Sequence, residues 1–332
     1  MLLSLDGGAT KTLSIVVDEN TLEVKGLGLS GPSDLITLSK ETTGRSMLSS
    51  AMAATKDAGL KFDSIDRAIY GVCGIGDTRQ LTQIGESLVR EKIGTRDSVI
   101  INDGLLSYSF SNMEKDGIVL DVGTGTIVFY KIGDTYYRKA GWDWFSGDNA
   151  SAAWIARRAL NTATMEYDGI LKQKLLVREV ESYFGNSFQD AIAGIEQTRN
   201  KRLISGFAPA VSKLARGGYE EAIYIFDEAS DYIARMIESI LPEFTTAPEM
   251  SVIGGTMMAG DFYTDMIRRK VGPEVKIYFG YQAAIGGIFT LMRDMGLHVG
   301  INEKECLIDQ INEMVYLKDM KTLKKFLCIG VY

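Results

Sequence analysis

The sequence has little of what several classes of protein require. Its 332 residues include one histidine, His298, and three cysteines with no CxxC pair, so neither a paired-cysteine zinc site nor a disulfide-stapled secreted fold is indicated. The longest apolar stretch, residues 277–292, is shorter than the ~20 residues of a membrane-spanning helix. Acidic residues (43) outnumber basic residues (36), and a net charge of −7 does not suit a nucleic-acid backbone. We predict a cytoplasmic protein that binds small molecules, with no nucleic-acid and no membrane partner.

Strands and glycine turns recur in the same order in the two halves of the chain. The first half gives three strands, a helix, a strand, a helix and a strand, at residues 2–5, 13–17, 24–29, 38–58, 68–73, 81–89 and 98–101. Three strands also begin the second half, at residues 117–120, 127–132 and 135–139. Aligning LDGGATKTLSIVV with LDVGTGTIVFYKI places Leu-Asp, glycine and threonine in register, which indicates a duplication.

The second half also carries long helical insertions. Helical patterns cover residues 149–161, 172–184, 190–198, 204–216 and 219–241, and a strand at 249–253 precedes a closing helix at about 281–295 and a helical tail at 303–326. We predict an α/β protein with an N-terminal domain over residues 1–116. The C-terminal domain, residues 117–332, would contain the insertions, the closing helix and the tail.

Each half begins with a strand that ends in an aspartate and a glycine-rich hairpin. Such a hairpin can turn peptide N–H groups toward a phosphate with no Cβ in the way. The candidate phosphate-binding residues are Gly7, Gly8, Thr10, Lys11 and Thr12 in the first hairpin and Gly123, Thr124, Gly125 and Thr126 in the second. Asp6 and Asp121 are candidate ligands of Mg²⁺, which prefers oxygen ligands where it bridges phosphates. Two such hairpins predict ATP and Mg²⁺ as the bound species.

The two hairpins resemble those of the actin, hexokinase and heat-shock ATPase superfamily. The segment GWDWFSGDNAS, residues 141–151, is similar to Gly-Trp-Gly-x-x-Leu-Gly-Asp-Glu-Gly-Ser of the N-acetylglucosamine kinase and BadF/BadG-type ATPase family. The resemblance implies a duplicated ribonuclease-H-like fold of two domains with an interdomain cleft, and a homodimer is compatible with it. It also implies adenosine contacts from Gly254 and Gly255, and substrate contacts from Ser33, Asp34, Gly141, Trp142 and Asp148.

Asp103 is the candidate catalytic base. A hydroxyl that attacks phosphorus must lose its proton, so a kinase needs a base beside it. Asp103 follows the predicted strand at 98–101, and open α/β sheets bind ligands at the carboxyl ends of their strands. The pair Asn102-Asp103 also matches the Asn-Asp catalytic position of the resembling family. The alternative is that Asp103 caps the N-terminus of a helix, which aspartate often does.

The predicted activity is ATP-dependent phosphorylation of a small sugar or sugar acid. Asp34 stands where amino-sugar kinases usually have asparagine, and Asp143 replaces a glycine, so the pocket departs from a standard amino-sugar site. These departures make a standard amino-sugar site less favoured, and a sugar acid, within the resembling family 2-keto-3-deoxygluconate, is the preferred candidate. The electrostatics do not decide, because acidic groups bind neutral polyols well and repel carboxylates. Arg138 and Lys139 are candidate cations for the carboxylate of a sugar acid, although a solvated basic pair is the commoner explanation. A kinase of N-acetylglucosamine or glucose is the alternative.

Two functions of other classes stay open. The same family includes ATPases that activate iron–sulfur dehydratases through paired cysteines, whereas Cys73, Cys306 and Cys328 form no pair in the sequence. A conformational ATPase, such as a chaperone or filament protein, would need no acceptor hydroxyl. Stimulation of ATP turnover by a sugar separates this last class from a kinase.

Overall fold

The computed structural model describes residues 1–95 and 97–317 and forms two compact units. The first unit combines Met1–Lys115 with the described residues from Gly280 onward, and the second is Asp116–Phe279. The closing helix, which we expected in the C-terminal domain, therefore belongs to the N-terminal unit. No helix within the described residues is both long enough and apolar enough to cross a membrane.

The chain alternates strands and helices throughout its described length. The strands are β1 (Leu2–Gly7), β2 (Thr12–Val17), β3 (Val24–Ser30), β4 (Arg67–Val72), β5 (Asp97–Ile101), β6 (Gly117–Val122), β7 (Thr126–Ile132), β8 (Thr135–Ala140), β9 (Glu249–Gly254) and β10 (Lys276–Phe279). The helices are α1 (Lys40–Asp57), α2 (Arg79–Leu88), α3 (Asp103–Asn112), α4 (Ala152–Tyr167), α5 (Leu175–Phe184), α6 (Phe188–Thr198), α7 (Lys201–Ser205), α8 (Ala208–Arg216), α9 (Glu220–Glu238), α10 (Asp261–Val271), α11 (Ala284–Asp294) and α12 (Ile301–Leu317).

The first unit is built on a sheet with the strand order β3-β2-β1-β4-β5. The pairs β1–β2 and β2–β3 are antiparallel, whereas β1, β4 and β5 run parallel. Helix α1 packs closely on β3 at Gly28, where an added Cβ would lie 2.1 Å from the carbonyl oxygen of Ser50. The close approach therefore requires glycine at this position. Helix α11 packs on β1 and β4. The sheet is thus covered by helices, and nearly every side chain of β1 and β2 is buried.

The second unit repeats this topology. Its strand order, taken from one edge, is β8-β7-β6-β9-β10, and it matches the first sheet strand for strand. The pairs β6–β7 and β7–β8 are antiparallel, and β6, β9 and β10 run parallel. The predicted duplication and α/β class are therefore confirmed. Helices α4 to α9 occupy the connection between the third and fourth strands, where the first unit has α1 and a short 3₁₀ helix.

The closing helix α11 braces α3. An added Cβ on Gly286 would lie 2.0 Å from the carbonyl oxygen of Leu106, so the two helices approach backbone to backbone. Helix α12 joins the same unit through Gln310, whose Oε1 accepts a hydrogen bond from the amide of Val24 at 2.8 Å. The contact with α11 holds α3, the helix that begins at Asp103.

Several predicted boundaries differ from the structure. Helices α3 and α10 and strand β10 were not predicted, and the helix expected at 204–216 is divided into α7 and α8. The helix expected from residue 149 begins at Ala152, because Ser151 caps it by accepting a hydrogen bond from the amide of Trp154 at 3.1 Å. Helix α12 covers the first part of the predicted tail. The remainder of that tail, with Cys328, lies outside the described residues.

Candidate active site

The first hairpin joins β1 to β2 through residues 8–11. Gly7 pairs with Thr12 at its base, and the amide of Gly8 donates to the carbonyl oxygen of Lys11 at 3.0 Å. An added Cβ on Gly7 would lie 2.9 Å from Cβ of Ser33, so the fold itself requires this glycine. An added Cβ on Gly8 would meet nothing closer than 3.9 Å. Gly8 therefore borders open space, where a phosphate would fit against the hairpin.

Asp6 and Asp103 lie at the same end of the first sheet. In the parallel ladder Asp6 lies beside Gly71, and Gly71 lies beside Ile101. Helix α3 begins two residues later, and Cα of Asp103 is 3.3 Å from the position of an added Cβ on Gly71. Both aspartates are half-buried. The structure thus brings the predicted Mg²⁺ ligand and the predicted base to the carboxyl ends of two parallel strands, β1 and β5, which are separated by β4.

Asn102 is the N-cap residue of helix α3, one residue before the cap of the alternative interpretation, and Oδ1 of Asp103 also accepts from the amide of Gly104 at 3.1 Å. Oδ1 of Asn102 accepts from the amide of Gly104 at 2.9 Å, and its Nδ2 donates to the carbonyl oxygen of Ile75 at 2.8 Å. Asp103 is the first residue of the helix. Asn102 therefore ties the start of α3 to the loop after β4, and this sets the backbone from which Asp103 projects.

Thr12 and Ser33 fasten the first hairpin to the loop after β3. Thr12 Oγ1 donates to the carbonyl oxygen of Gly31 at 2.7 Å and lies 2.5 Å from Ser33 Oγ. Both side chains are fully buried. The amide of Ser33 also donates to the carbonyl oxygen of Gly8 at 3.1 Å. The hairpin and the predicted substrate loop therefore form one hydrogen-bonded assembly.

The two acidic departures from the amino-sugar pattern form the same turn. Oδ1 of Asp34 accepts from the amide of Ile36 at 2.8 Å, and its Oδ2 accepts from Oγ1 of Thr37 at 2.6 Å. Asp143 accepts from the residues two and three positions after it, as Asp34 does. Its donors are the amide of Phe145 at 2.8 Å and the hydroxyl of Ser146 at 3.2 Å. Each turn follows the third strand of its unit. Both carboxylates thus shape their own loops, and the duplication extends into these loops.

The second hairpin joins β6 to β7 through residues 123–125 and is one residue shorter than the first. Val122 pairs with Thr126, and the amide of Gly123 donates to the carbonyl oxygen of Gly125 at 2.9 Å. Thr126 is buried, and its hydroxyl donates to the carbonyl oxygen of Asn149 at 2.8 Å. Thr126 thus repeats the part that Thr12 plays in the first unit. Asp121 is half-buried at the end of β6, in the position that Asp6 has on β1.

Gly254 ends β9 beside the second hairpin, and Gly255 follows it. Gly254 has a φ of 141°, and an added Cβ would lie 2.2 Å from the carbonyl oxygen of Val122. That same oxygen accepts from the hydroxyl of Thr256 at 2.6 Å. An added Cβ on Gly255 would meet nothing within 4 Å. Gly254 is therefore a packing residue, and Gly255 is exposed and borders open space.

Asp148 pairs with a lysine that the sequence analysis did not single out. Its carboxylate is 4% exposed, and Oδ2 lies 2.9 Å from Nζ of Lys201. Both groups adjoin the second hairpin, since an added Cβ on Gly125 would lie 2.7 Å from Oδ2 of Asp148 and 3.1 Å from Nζ of Lys201. Lys201 lies in the helical insertion, 53 residues from Asp148. No local pattern marks it, because only the fold brings it to the hairpin.

The loop after β8 is attached to the second hairpin at Gly141. The amide of Gly141 donates to the carbonyl oxygen of Thr126 at 2.8 Å, and its own carbonyl oxygen accepts from Nη2 of Arg138 at 3.0 Å. Trp142 is 85% exposed. Nη1 of Arg157 donates to the carbonyl oxygen of Trp144 at 2.8 Å and holds the loop against α4. Gly141 therefore lies at the hairpin, while the indole of Trp142 faces solvent in its own unit.

Lys139, a candidate cation for a sugar acid, is engaged within the fold. Its Nζ donates to Oε1 of Glu243 at 2.8 Å, and the hydroxyl of Tyr130 donates to the other oxygen of Glu243 at 2.7 Å. The pKa of Glu243 is lowered from its ordinary value, first by the hydrogen bond from Lys139 and then by that from Tyr130. Burial raises the pKa of Tyr130 to about 12, with Glu243 as the second cause. These contacts stabilise the edge of the second sheet.

The carboxylates do not form an all-protein metal cage. Among residues 1–95 and 97–317, no group of three or more His, Cys, Asp or Glu side chains is arranged to hold a metal ion. Mg²⁺ in nucleotide sites commonly takes one or two carboxylates and completes its shell with phosphate oxygens and water. Asp6 and Asp121, each at a strand end beside a glycine-bordered space, fit that kind of site.

Two α/β units of this topology, each with a glycine hairpin after its first strand, define the actin and hexokinase class of ATPase fold. Within that class, the model of the BadF/BadG/BcrA/BcrD ATPase family matches residues 3–289. The chain belongs to this family. None of the curated proteins compared with the chain matches it.

Solved structures show the same fold. A provisionally assigned N-acetylglucosamine kinase from Chromobacterium violaceum has 22% identity and a TM-score of 0.69, covering 87% of this chain and 98% of its own. A protein with the same provisional assignment from Porphyromonas gingivalis has 17% identity and a TM-score of 0.69, with coverages of 90% and 100%. A ROK family glucokinase from Streptomyces griseus, in complex with glucose and AMPPNP, has 16% identity and a TM-score of 0.59, with coverages of 88% and 99%.

Proposed function

We propose that this chain is an ATP-dependent kinase that phosphorylates a hydroxyl group of a small sugar. The observation that carries the proposal is the position of Asp103, which lies at the same sheet end as Asp6 and begins helix α3 directly after its N-cap residue Asn102. A carboxylate beside a phosphate-binding hairpin can receive the proton that an attacking hydroxyl group loses. Membership of an ATPase family supports the nucleotide, and the fold shared with a glucose-bound and AMPPNP-bound glucokinase supports the acceptor class.

The residues divide the work of phosphoryl transfer. Gly8, Thr10 and Lys11 in the first hairpin, and Gly123, Thr124 and Gly125 in the second, would bind phosphate oxygens, and Gly254-Gly255 would lie against the adenosine. Asp6 and Asp121 would hold Mg²⁺, which neutralises charge on the phosphates when bound. Thr12 and Thr126 would position the hairpins and would not bind the phosphates themselves, because their buried hydroxyl groups donate to carbonyl oxygens of neighbouring loops.

The transfer itself needs one base. The hydroxyl oxygen of the sugar forms a bond to the γ-phosphorus, the bond from that phosphorus to the β–γ bridging oxygen breaks, and ADP leaves. The proton of the hydroxyl passes to the carboxylate of Asp103. Ser33, Asp34, Gly141, Trp142 and Asp148 remain the proposed substrate residues. Asp34 would act through the loop that its carboxylate shapes.

As the acceptor we propose a neutral sugar, such as glucose or N-acetylglucosamine, in preference to 2-keto-3-deoxygluconate. A sugar acid needs a cation for its carboxylate, and Lys139 is already paired with Glu243 while Arg138 donates to the backbone of Gly141. The acidic departure at Asp34, which had favoured a different substrate, is explained by its turn. A panel of hexoses, amino sugars and ketodeoxy acids would test this order through the ADP each one releases.

The assignment of Asp103 as the base is tested by two matched substitutions, one just after β5 and one at the start of β5. Asp103→Asn should lower turnover by ~10²-fold or more and leave ATP affinity nearly unchanged, because only proton transfer is lost. Asp97, at the other end of β5, is exposed and pairs with Arg67. Asp97→Asn should leave turnover unchanged. Equal turnover in the wild type and the Asp103 variant would reject the assignment.

A further inference from the structure

The two phosphate-binding hairpins differ in their charge. The first hairpin contains Lys11 within its turn, whereas the second, one residue shorter, has only glycine and threonine between Val122 and Thr126. The structure places the ammonium group of Lys201 at Gly125, 3.1 Å from the position of an added Cβ. Each hairpin therefore has one lysine, and that of the second comes from a distant helix.

We infer that Lys201 is a phosphate-binding cation of the second hairpin, held in place by Asp148. The inference rests on the proposed function, since it assigns a further residue to the nucleotide. The ligand class is the di- or triphosphate chain of a nucleotide, which carries the negative charge that an ammonium group and the peptide N–H groups of a hairpin complement.

The position of Lys201 is determined by the core of the second unit. Lys201 is the first residue of α7, whose N-terminus is capped by Asn200, and α7 packs on α4. The Nζ of Lys201 makes its hydrogen bond to Asp148 at 2.9 Å, and an ammonium group has three N–H donors. The side chain is 27% exposed, against 4% for Asp148. The lysine is thus anchored by one donor and stays partly exposed beside the hairpin.

A purely structural ion pair is a weaker explanation. Burying a carboxylate and an ammonium group together gives little net stability, because removal from water offsets their attraction. The ammonium group adds positive potential beside the hairpin, where a bound phosphate would lie. Gly125 allows this approach, since any side chain there would collide with the pair.

The test compares nucleotide affinities of four variants, Lys201→Met, Lys201→Arg, Asp148→Asn and the double variant Lys201→Met/Asp148→Asn. Binding of ATP, ADP and AMP, with magnesium present, would be measured by calorimetry. Lys201→Met should weaken ATP binding by ~10- to 100-fold and leave AMP binding within ~3-fold, because AMP lacks the phosphates in question. Lys201→Arg and Asp148→Asn keep the positive charge and should retain most of the ATP affinity.

The double variant separates a phosphate contact from a structural one. Lys201→Met alone leaves a buried carboxylate unpaired and can destabilise the fold, whereas the double variant removes both charges. ATP binding that stays weakened in the stable double variant supports the inference. Recovery of ATP affinity to within ~3-fold of the wild type would overturn it. Failure of the wild type to bind ATP would instead overturn the proposed function, so the two failures are distinguishable.

Discussion

Substitution by alanine should lower the stability of the protein at Gly254 and its affinity for ATP at the adjacent Gly255. At Gly254 the φ of 141° is unfavourable for any other residue, and an added Cβ would lie 2.2 Å from the carbonyl oxygen of Val122 and 2.4 Å from its carbonyl carbon. These are backbone atoms of β6, so they cannot move aside as a flexible side chain would. Backbone strain of about 1–3 kcal/mol and overpacking of about 1–3 kcal/mol predict a loss of ~2–6 kcal/mol for Gly254→Ala.

Gly255→Ala is the matched partner of that variant. Gly255 is exposed and an added Cβ would meet nothing within 4 Å, so the free energy of unfolding should stay within about 0.5 kcal/mol of the wild type. If this glycine lies against the adenosine, the added methyl group occupies space that the nucleotide needs. ATP affinity should then fall by ~10-fold or more, equivalent to about 1.4 kcal/mol.

Urea unfolding and calorimetric titration with ATP measure the two effects separately. A total stability of about 5–15 kcal/mol is usual for a protein, so the predicted loss for Gly254→Ala is large enough to shift the urea midpoint clearly. Wild-type stability in Gly254→Ala would show that the described packing against β6 is wrong. Wild-type ATP affinity in Gly255→Ala would refute its assignment to the nucleotide.

Two further predictions concern stability, one at Thr12 in the first unit and one at the ion pair of Glu243 with Lys139 in the second unit. Thr12→Val should lower the free energy of unfolding by about 1–3 kcal/mol, because the half-buried carbonyl of Gly31 and the buried hydroxyl of Ser33 lose a partner, whereas Thr12→Ser should lose less. Urea unfolding checks this, and a Val variant as stable as the wild type would contradict it. The folded-state pKa of Glu243 is lowered, so its contribution is present above the usual value of 4.5 and is lost as pH falls through the folded pKa. Lys139→Met should raise that pKa toward 4.5 and flatten the acid loss of stability, and an NMR titration that shows no change would refute this.

The duplication was visible in the sequence because both hairpins need the same local chemistry. A strand, an aspartate and a glycine turn occupy consecutive residues, so their spacing is preserved in the chain. The matching strand orders of the two sheets confirm that part of the prediction. The turns at Asp34 and Asp143 carry a weaker signal of the same kind, an aspartate followed three residues later by a hydroxyl residue, which the sequence analysis did not use.

Other features depend on contacts between distant residues and leave no local pattern. Helix α3 alternates serines with apolar residues, so its spacing did not indicate a helix, although it packs on α11 through Gly286. That contact also places the closing helix in the first unit. The pairing of Lys201 with Asp148 is of the same kind, because it spans 53 residues and an insertion. The roles of Thr12 and Thr126 could be predicted only in part, since a threonine after a glycine hairpin can face either a ligand or the neighbouring loop.

The central claim is that ATP consumption is coupled to phosphorylation of a sugar hydroxyl. The most direct measurement is ³¹P NMR of the protein with ATP, magnesium and each sugar of the panel in turn. We expect one neutral sugar to yield a phosphate monoester signal that grows in step with ADP. Release of inorganic phosphate with every sugar, and no ester with any of them, would contradict the claim.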